Sequence, residues 1–490
     1  MELRQRLLLN SFQAVIVVAC VAARTVYAAT SAALPELGRL QSAGAAVSAV
    51  VWDLDSGKPI AELDPATQLT PASLSKIFVA AAALDTFAPD TTFVTELHAA
   101  TLPRNGTLEG DLVLRGSGDA TLDEQGLWSL GAQLRSMGVR NIAGRLLVER
   151  APFGELECAT IDRCAAQQGS NRAFNAVPSA IGVNYGSWCL AIRPTRPGQP
   201  ALLRSCGVGQ LPIPLQGQVM TTVVNTGQNL QVERSTSGDG DRLVVGGSIA
   251  AGPEAQVHRA MSDPATATGL LLQSVLTQLG ITVSGKTEAV AGTVATASQL
   301  LASTEGLQLQ EQVGRMMRYS NNYIADVLTM DIALKRGMAP RTLAEAAQLL
   351  VPKDISITPG SATPALLASG SGLTTESRVS ARNLVDVLTH AFRDARHFPV
   401  FYGSLVVPAD APFAFLQGGN ADWQQRVALK SGTLSSPYPV LGLAGYLRKK
   451  SGGWMAFAAI INGTPRLREL PTERSLRALR TDLESILETY

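Results

Sequence analysis

The sequence predicts a mixed α/β protein in which one domain is interrupted by a long, strand-rich insertion. Helical and strand patterns occur together near both ends of the chain, whereas short strand patterns broken by glycine and proline dominate the middle. Two groups of residues with catalytic potential, around Ser73 and around Ser320, are far apart in the chain. If they share one site, the residues between them must fold as a separate body. A chain of 490 residues is long enough for more than one hydrophobic core.

Periodicity predicts the individual elements. Up to residue 290 they are a hairpin with strands at 49–54 and 59–63, a buried helix that begins at Ser73, short strands within 92–118, a helix at 127–137, a strand at 144–149 and further strands within 177–290. From residue 308 they are helices at 308–318, 323–335, 343–350 and 381–392, strands at 427–429, 440–448 and 454–461, and a last helix at 472–487. The mixture at both ends indicates one domain, and the strand-rich middle indicates its insertion.

The first 28 residues are predicted to be a signal peptide. Arg4 and Arg6 precede an apolar stretch at 12–23 that is short for a membrane span, and small residues lead to a cleavage point after Ala28. We therefore expect an exported protein. A buried N-terminal helix is one alternative, and a lipid anchor at Cys20 is another. The net charge of +1 indicates no basic surface for nucleic acid.

Four cysteines remain if Cys20 leaves with the signal peptide: Cys158, Cys164, Cys189 and Cys206. An even number suits an oxidising compartment. Short spacing favours the pairs 158–164 and 189–206 among three possible pairings, and the second pair would join two strands across a turn at 194–198. Zinc is the alternative, but the cysteines lack CxxC spacing, and the histidines form no ligand cluster in the sequence. These histidines are His98, His258, His390 and His397.

The segment 71–76 reads Pro-Ala-Ser-Leu-Ser-Lys and opens the predicted buried helix. Positions three apart lie on one helix face, so the Lys76 amine can reach the Ser73 hydroxyl. A serine hydroxyl is a weak nucleophile, and a neighbouring amine can activate it if burial and positive charge lower the pKa of that amine. Ser73 is therefore a candidate nucleophile, and Lys76 is its candidate general base.

A second motif, Ser-Asn-Asn at 320–322, lies between two predicted helices. There the hydroxyl of Ser320 could relay a proton from Lys76 to a leaving group, and the carboxamide of Asn322 could bind a substrate amide. Capping of the following helix is the alternative role for these residues.

The third motif consists of four residues: Lys430, Ser431, Gly432 and Thr433. We expect it at the end of a strand, where the glycine would let a ligand's backbone approach. The lysine charge would keep Lys76 neutral and attract an anionic substrate end. The hydroxyl groups could bind a terminal carboxylate, and the backbone N–H groups of Ser73 and Thr433 could form an oxyanion hole. An ordinary turn is the alternative interpretation.

In this order, the motifs resemble S-x-x-K, S-D-N and K-T-G of β-lactamases and penicillin-binding proteins. The long insertion resembles that of the low-molecular-mass class C penicillin-binding proteins. So do Gly-Ser-Gly-Asp at 116–119, Tyr-Ser-Asn-Asn-Tyr at 319–323 and Arg-Val-Ala-Leu-Lys-Ser-Gly-Thr-Leu at 426–434. These proteins are D-alanyl-D-alanine carboxypeptidases and endopeptidases of peptidase family S13. The resemblance covers nearly the whole mature chain.

The resemblance implies acyl transfer without a metal or cofactor. Ser73 would be acylated by the penultimate D-alanine of a peptidoglycan stem peptide or cross-link, or by a β-lactam antibiotic. Residues 431–433 would bind the substrate, and the other catalytic residues would be Lys76, Ser320, Asn322 and Lys430. We expect a periplasmic enzyme whose partners are peptidoglycan peptides and β-lactams, with peripheral membrane association as an option and no nucleic acid. The oligomeric state is left open.

The resemblance also implies a β-lactamase/transpeptidase-like domain, in which helices flank an antiparallel sheet. Residues 30–91 and 291–490 would form this domain. Two smaller domains would lie in the gap: a β-rich domain of 92–118 with 175–290, and a nested α/β domain of 119–174.

Two departures from the family pattern are visible. Ser431 replaces the threonine of Lys-Thr-Gly but keeps a hydroxyl, and Ser369 stands where the family tends to carry aspartate before Gly-Ser-Gly-Leu. The missing carboxylate is expected to affect substrate selection or rate, and it leaves open a cell-wall peptide-binding protein with little turnover. A β-lactamase would share the acylation residues, but class A enzymes have a far shorter gap between the first two motifs. A histidine-dependent serine hydrolase would need a Gly-x-Ser-x-Gly elbow, which the sequence lacks.

Overall fold

The computed structural model describes residues 34–238, 240–351 and 363–490. The predicted signal peptide and Cys20 lie outside these ranges. Among the residues described, no helix has the length and apolar character needed to cross a bilayer.

Helices occur throughout the described ranges. The α-helices are α1 (Pro35–Ser42), α2 (Ser75–Thr86), α3 (Glu124–Ser136), α4 (Ile161–Gly169), α5 (Pro264–Gln278), α6 (Leu309–Arg318), α7 (Asn322–Lys335), α8 (Leu343–Ala347), α9 (Ala381–Arg393), α10 (Phe398–Ser404), α11 (Ala421–Arg426) and α12 (Thr472–Thr489).

The strands are concentrated in the insertion and in the two ends of the described chain. They are β1 (Ala46–Asp53), β2 (Lys58–Leu63), β3 (Val94–Ala99), β4 (Thr107–Leu108), β5 (Leu112–Gly116), β6 (Asn141–Ile142), β7 (Leu146–Glu149), β8 (Ser187–Arg193), β9 (Leu202–Ser205), β10 (Leu215–Gly217), β11 (Met220–Thr222), β12 (Asn229–Ser237), β13 (Gly240–Ala250), β14 (Ala255–Ala260), β15 (Thr282–Val283), β16 (Thr287–Val290), β17 (Gln299–Glu305), β18 (Val427–Leu434), β19 (Val440–Arg448) and β20 (Trp454–Asn462).

One antiparallel sheet, in the order β18-β19-β20-β1-β2, joins the two ends of the described chain. Its side chains alternate between two apolar cores. Along β20, Ala458 and Ile460 pack with α2, α7 and α9, whereas Phe457 and Ile461 pack in the core that α1 and α12 cover. Both faces of the sheet are therefore apolar and must be covered by helices. The predicted mixed α/β class, with a helix-flanked antiparallel sheet that the chain leaves and rejoins, is confirmed.

Helix α2 is buried on every side. Residues 75–84 are all buried, and four consecutive alanines at 80–83 let neighbouring helices approach closely. A helix that is apolar all round is stable only in such an interior position. The turn that precedes α2 is consequently fixed against the sheet.

The insertion forms its own sheets around a separate hydrophobic core. The largest sheet has the order β16-β7-β5-β3-β17 and mixes parallel with antiparallel pairs. Strand β7, from the predicted nested domain 119–174, lies between β5 and β16, and β17 extends the sheet beyond residue 290. Backbone pairing thus links the segments that the sequence separates into two domains. The domain division itself stays a prediction.

Helix α5 lies within 177–290, a stretch that the sequence predicts to be strand-rich and for which it indicates no helix. Asp263 accepts a hydrogen bond from the Thr266 N–H group, and Pro264 occupies the first turn, a combination typical of a helix start. Apolar residues surround this buried helix almost evenly, so its periodicity is weak. The helix-start residues Asp263 and Pro264 are therefore a better predictor of this helix than its apolar periodicity.

Both predicted disulfide bonds are present. Cys158 is bonded to Cys164 at the start of α4. Cys189 in β8 is bonded to Cys206, directly after β9, and these two strands also pair through their backbones. The second bond therefore joins two strands, as the sequence predicts.

Candidate active site

Ser73 lies in a 3₁₀ turn, Ala72–Leu74, directly before α2. The sequence predicts this serine in the helix itself, so the turn is a correction. Ala72 has a φ of 50°, in the left-handed region, which costs about 1–2 kcal/mol for a residue with a Cβ atom. The Lys76 Nζ atom donates a hydrogen bond to Ser73 Oγ at 3.0 Å. The 3₁₀ turn thus keeps the Ser73 hydroxyl within hydrogen-bond distance of the Lys76 amine, as the spacing of three residues predicts.

Three acceptors hold the Lys76 amine. Besides the Ser73 hydroxyl, Nζ donates to Asn322 Oδ1 at 2.8 Å and to the backbone oxygen of Ser371 at 2.7 Å. Asn322 Nδ2 in turn donates to the backbone oxygen of Phe174 at 3.0 Å. The amine is therefore fixed between the first two motifs, and Asn322 also ties the site to the insertion.

The second motif combines helix capping with a contact to the third motif. Asn321 caps α7, because its Oδ1 accepts from the N–H of Ile324 at 3.0 Å. Ser320 has a φ of 54°, and its Oγ accepts a hydrogen bond from Lys430 Nζ at 2.9 Å. The structure thus pairs Ser320 with Lys430, whereas the sequence suggests that Ser320 relays a proton from Lys76 to a leaving group. Capping accounts for Asn321 alone.

Lys430 lies in the middle of β18, not at its end, because pairing with β19 continues to Leu434. Strand β18 is at the edge of the sheet. A Cβ atom at Gly432 would stand 2.8 Å from the Pro71 oxygen and 3.0 Å from the Ser73 nitrogen. The glycine therefore makes room for the chain's own serine turn, whereas the sequence suggests a ligand there. Ser431 is buried, and Thr433 is exposed beside the turn.

Burial lowers the pKa of Lys76 to about 7. The charge of Asp326 raises this pKa, and the charge of Arg163 lowers it, by smaller amounts. Burial also lowers the pKa of Lys430 well below its usual range, and repulsion from Lys76 adds to this effect. The sequence predicts that burial and a nearby positive charge lower the pKa of Lys76, and it assigns that charge to Lys430. In the structure, burial is the main cause, and Arg163 is the cation that assists.

A comparison with protein families identifies the family of this chain. The model of the D-Ala-D-Ala carboxypeptidase 3 (S13) family matches residues 28–482. The chain belongs to this family. The membership expected from the motifs is therefore confirmed, as is the assignment to serine peptidases of the D-alanyl-D-alanine carboxypeptidase type.

Curated relatives and a solved structure agree with the S13 family. The chain is 29% identical to the D-alanyl-D-alanine carboxypeptidase of Actinomadura sp. (strain R39) over 437 residues, 86% of this chain and 78% of the relative. It is 26% identical to the D-alanyl-D-alanine carboxypeptidase DacB of Haemophilus influenzae over 428 residues, 86% of each. The crystal structure of penicillin binding protein 4 (dacB) from H. influenzae matches with a TM-score of 0.72 at 23% identity, over 92% of this chain and 99% of that one. The expected fold is confirmed.

Ser369, the departure from the S13 pattern, lies in the loop that holds Lys76. Its Oγ accepts a hydrogen bond from the N–H of Gly372 at 3.0 Å and lies 3.4 Å from Ser371 Oγ. The side chain is buried. In this S13 chain, a short hydroxyl therefore organises the loop from inside.

Other residues of the S13 site escape the sequence motifs. Asp326 accepts a hydrogen bond from the N–H of Ser371 at 2.8 Å, and Arg163 forms an ion pair with Asp326. Asp326 follows Asn322 by four positions, so helical spacing offers a signal for it. Nothing in the local sequence relates Arg163 to the motifs, because the insertion brings it there.

The structure groups three potential metal ligands that the sequence leaves apart. Ligand atoms of Asp85, Asp394 and His397 lie within 4.8 Å of one another. Asp85 also accepts from His390 at 2.9 Å, and Asp394 pairs with Arg396. His397 is the single histidine of this group, and its other two members are carboxylates. Asp85 lies at the far end of α2 from Ser73, so this group is separate from the S13 site.

Proposed function

We propose that Ser73 carries the acyl-enzyme of this S13 peptidase, and that the protein acts on D-alanyl-D-alanine ends and cross-links of peptidoglycan peptides. The observation that carries this proposal is the position of the Lys76 amine. It is buried, it contacts Ser73 Oγ and Asn322 Oδ1 together, and its pKa is lowered to about 7. Such an amine can act as a general base near neutral pH.

In the first step, neutral Lys76 takes the proton of Ser73 Oγ while that oxygen attacks the carbonyl carbon of the penultimate D-alanine. The carbonyl oxygen becomes an oxyanion, for which the backbone N–H groups of Ser73 and Thr433 are the proposed donors. Collapse of this intermediate breaks the peptide bond and leaves an ester on Ser73. Water then attacks the ester and releases the product.

The departing amine needs a proton, which Ser320 can supply. Because Lys430 Nζ donates to Ser320 Oγ, the hydroxyl proton of this serine is free to point into the cleft. Transfer of that proton to the leaving nitrogen can be followed by reprotonation of Ser320 from Lys430. The proton that Lys76 took from Ser73 then restores Lys430, so that Lys76 is neutral again when water attacks the ester. In this proposal, Ser320 and Lys430 both have catalytic roles.

Strand β18 offers a docking edge for the substrate. Backbone groups of Leu429 in this strand pair with Val406, so an extended peptide can pair with the edge beyond Leu429. Exposed Thr433 and neighbouring Ser431 are the proposed ligands of the terminal carboxylate, with Asn322 for the substrate amide. A β-lactam carries an equivalent amide and carboxylate, so we propose that it acylates the same serine. A periplasmic location follows from the proposed substrate and from the predicted signal peptide.

Two assays of the purified protein test the proposed function. A D-alanyl-D-alanine pentapeptide should release one D-alanine per cleavage, and a fluorescent penicillin should label the protein in equimolar amount. Labelling without D-alanine release would leave only a binding protein. Rapid turnover of a chromogenic cephalosporin would indicate a β-lactamase. Digestion of purified sacculi would show endopeptidase action through the loss of cross-linked dimers.

Gly432→Ala is expected to slow acylation by about 10- to 100-fold, because its methyl group would displace the turn that carries Ser73. The rate of penicillin labelling measures this effect. Gly292→Ala is a matched control, since a Cβ atom there would meet nothing within 4 Å. Equal acylation rates in the two variants would show that the close approach at Gly432 is unimportant.

A further inference from the structure

A small arm of the insertion, residues 158–172, includes helix α4 and reaches behind the Lys76 amine. Helix α4 begins within the loop that the Cys158–Cys164 disulfide closes. The enclosed residues include Asp162 and Arg163, whose side chains contact different parts of the main domain. The disulfide restricts the first turn of a short helix that would be marginal on its own.

Asp162 fastens this arm to the loop after Ser371. Its carboxylate accepts hydrogen bonds from the Thr374 hydroxyl at 2.9 Å, from the Thr375 N–H at 2.6 Å and from the Thr375 hydroxyl at 2.9 Å. These contacts keep the pKa of Asp162 low despite burial. The arm therefore docks on the same loop whose Ser371 oxygen holds Lys76.

Arg163 lies beneath this docking point and is only 3% exposed. Its guanidinium donates to Asn175 Oδ1 at 3.3 Å and to the Ala176 oxygen at 3.4 Å, and it lies 3.7 Å from Asp326 Oδ2. Asp326 is fully buried, and among the described residues its Oδ2 has no hydrogen-bond partner. Since a buried charge is stable only when it is paired, Arg163 is the counter-ion that Asp326 requires.

A continuous series of contacts leads from this ion pair to the nucleophile. Asp326 Oδ1 accepts from the N–H of Ser371 at 2.8 Å, and the oxygen of that same residue accepts from Lys76 Nζ at 2.7 Å. Lys76 then donates to Ser73 Oγ. A shift of Asp326 would therefore move the Ser371 peptide and change the direction of the amine.

We propose that Arg163 is a positioning residue for acyl transfer, which acts from the insertion through Asp326 and Ser371 to hold the Lys76 amine against Ser73. This inference rests on the proposed function. It gives the insertion a role in the reaction itself, because the arm supplies the counter-ion of a carboxylate in the main domain.

The charged groups around Lys76 give the inference a specific electrostatic signature. They are Asp326 on α7, Arg163 on α4 and Lys430 on β18. The carboxylate raises the pKa of Lys76, and the guanidinium lowers it. Loss of one member of the ion pair should therefore shift this pKa in the opposite direction to loss of the other.

The test compares Arg163→Met, Asp326→Asn, the double variant and Arg163→Lys with the wild type. The measured quantities are kcat and KM for D-alanine release and the pH profile of penicillin acylation. Arg163→Met should lower kcat by about 10- to 100-fold, change KM little and move the rising limb of the profile to higher pH. Asp326→Asn should move that limb to lower pH, because it removes the negative charge that raises the pKa of Lys76. The asparagine oxygen can still accept the Ser371 N–H, so the geometry should change little. The double variant should lie near the wild-type limb, and Arg163→Lys should recover most of kcat.

Arg172→Met is the matched control, because this exposed arginine lies on the same arm. It should leave both readouts unchanged. Shifts in the same direction in both single variants, or strictly additive losses in kcat, would overturn the inference. If Arg163→Met unfolds, the double variant and Arg163→Lys decide the question. An inactive wild type would instead refute the proposed function, so the two failures are distinguishable.

Discussion

Ser73→Ala is expected to abolish covalent labelling by a fluorescent penicillin and to slow D-alanine release by at least about 10⁴-fold. The Oγ atom of this serine forms the bond to the acyl group, and its proton is the one that Lys76 removes. Lys76 Nζ is hydrogen-bonded to that atom at 3.0 Å. The substitution removes only this one oxygen atom, so it deletes the nucleophile without enlarging the cleft much. Gel fluorescence measures the labelling, and a coupled assay measures D-alanine.

Ser75 provides the control for this experiment. It lies two residues further on, is buried at the start of α2, and among the described residues its Oγ has no hydrogen-bond partner. Ser75→Ala removes the same atom type from the same turn of chain, and we expect labelling within about twofold of the wild type. Labelling that survives in Ser73→Ala, or an equal loss in Ser75→Ala, would contradict the assignment of the nucleophile.

Elements with one regular apolar pattern could be predicted from the sequence. Strand β19, Val440–Arg448, has the predicted bounds, and helix α9, whose apolar residues lie on one face, differs from prediction by one residue at its C-terminal end. Strand β18 is longer than the sequence indicates, because Lys430 and Ser431 interrupt its apolar pattern although both are buried. A functional site requires polar residues in the middle of this strand, so local patterning fails there for a chemical reason.

Only part of the site could be predicted. Contacts between residues close in the sequence are predictable, whereas contacts between distant segments are not. The Ser73–Lys76 contact depends on a local turn, which spacing describes. The order of the motifs indicates that Asn322 and Lys430 join them, but not that Ser320 contacts Lys430. Arg163 reaches Asp326 through tertiary packing of the insertion, for which the chain offers no local signal. The electrostatic control of Lys76 is thus the least predictable feature of the site.

Lys76→Met is expected to lower the rate of acylation by about 10³- to 10⁴-fold, because the methionine cannot accept the Ser73 proton. A methionine has a similar length and suits a fully buried position, so the fold should persist. Stopped-flow penicillin acylation measures the rate, and thermal unfolding checks the fold. Exposed Lys58→Met on β2 is the control and should acylate at the wild-type rate.

The same base gives the wild-type acylation rate a defined pH dependence. Lys76 is active as the neutral amine, so the protonated form that dominates below its pKa is inactive. With a pKa of about 7, the rate should rise about tenfold per pH unit between pH 5 and 6.5 and level off above pH 7.5. An exposed lysine, with its usual pKa near 10.4, would give a rate still rising at pH 9. A rate that is flat from pH 5 to 8, or one that climbs steadily to pH 9, would show that burial does not supply the base. In Lys76→Met the rising limb should be absent, which separates proton acceptance from a general loss of stability.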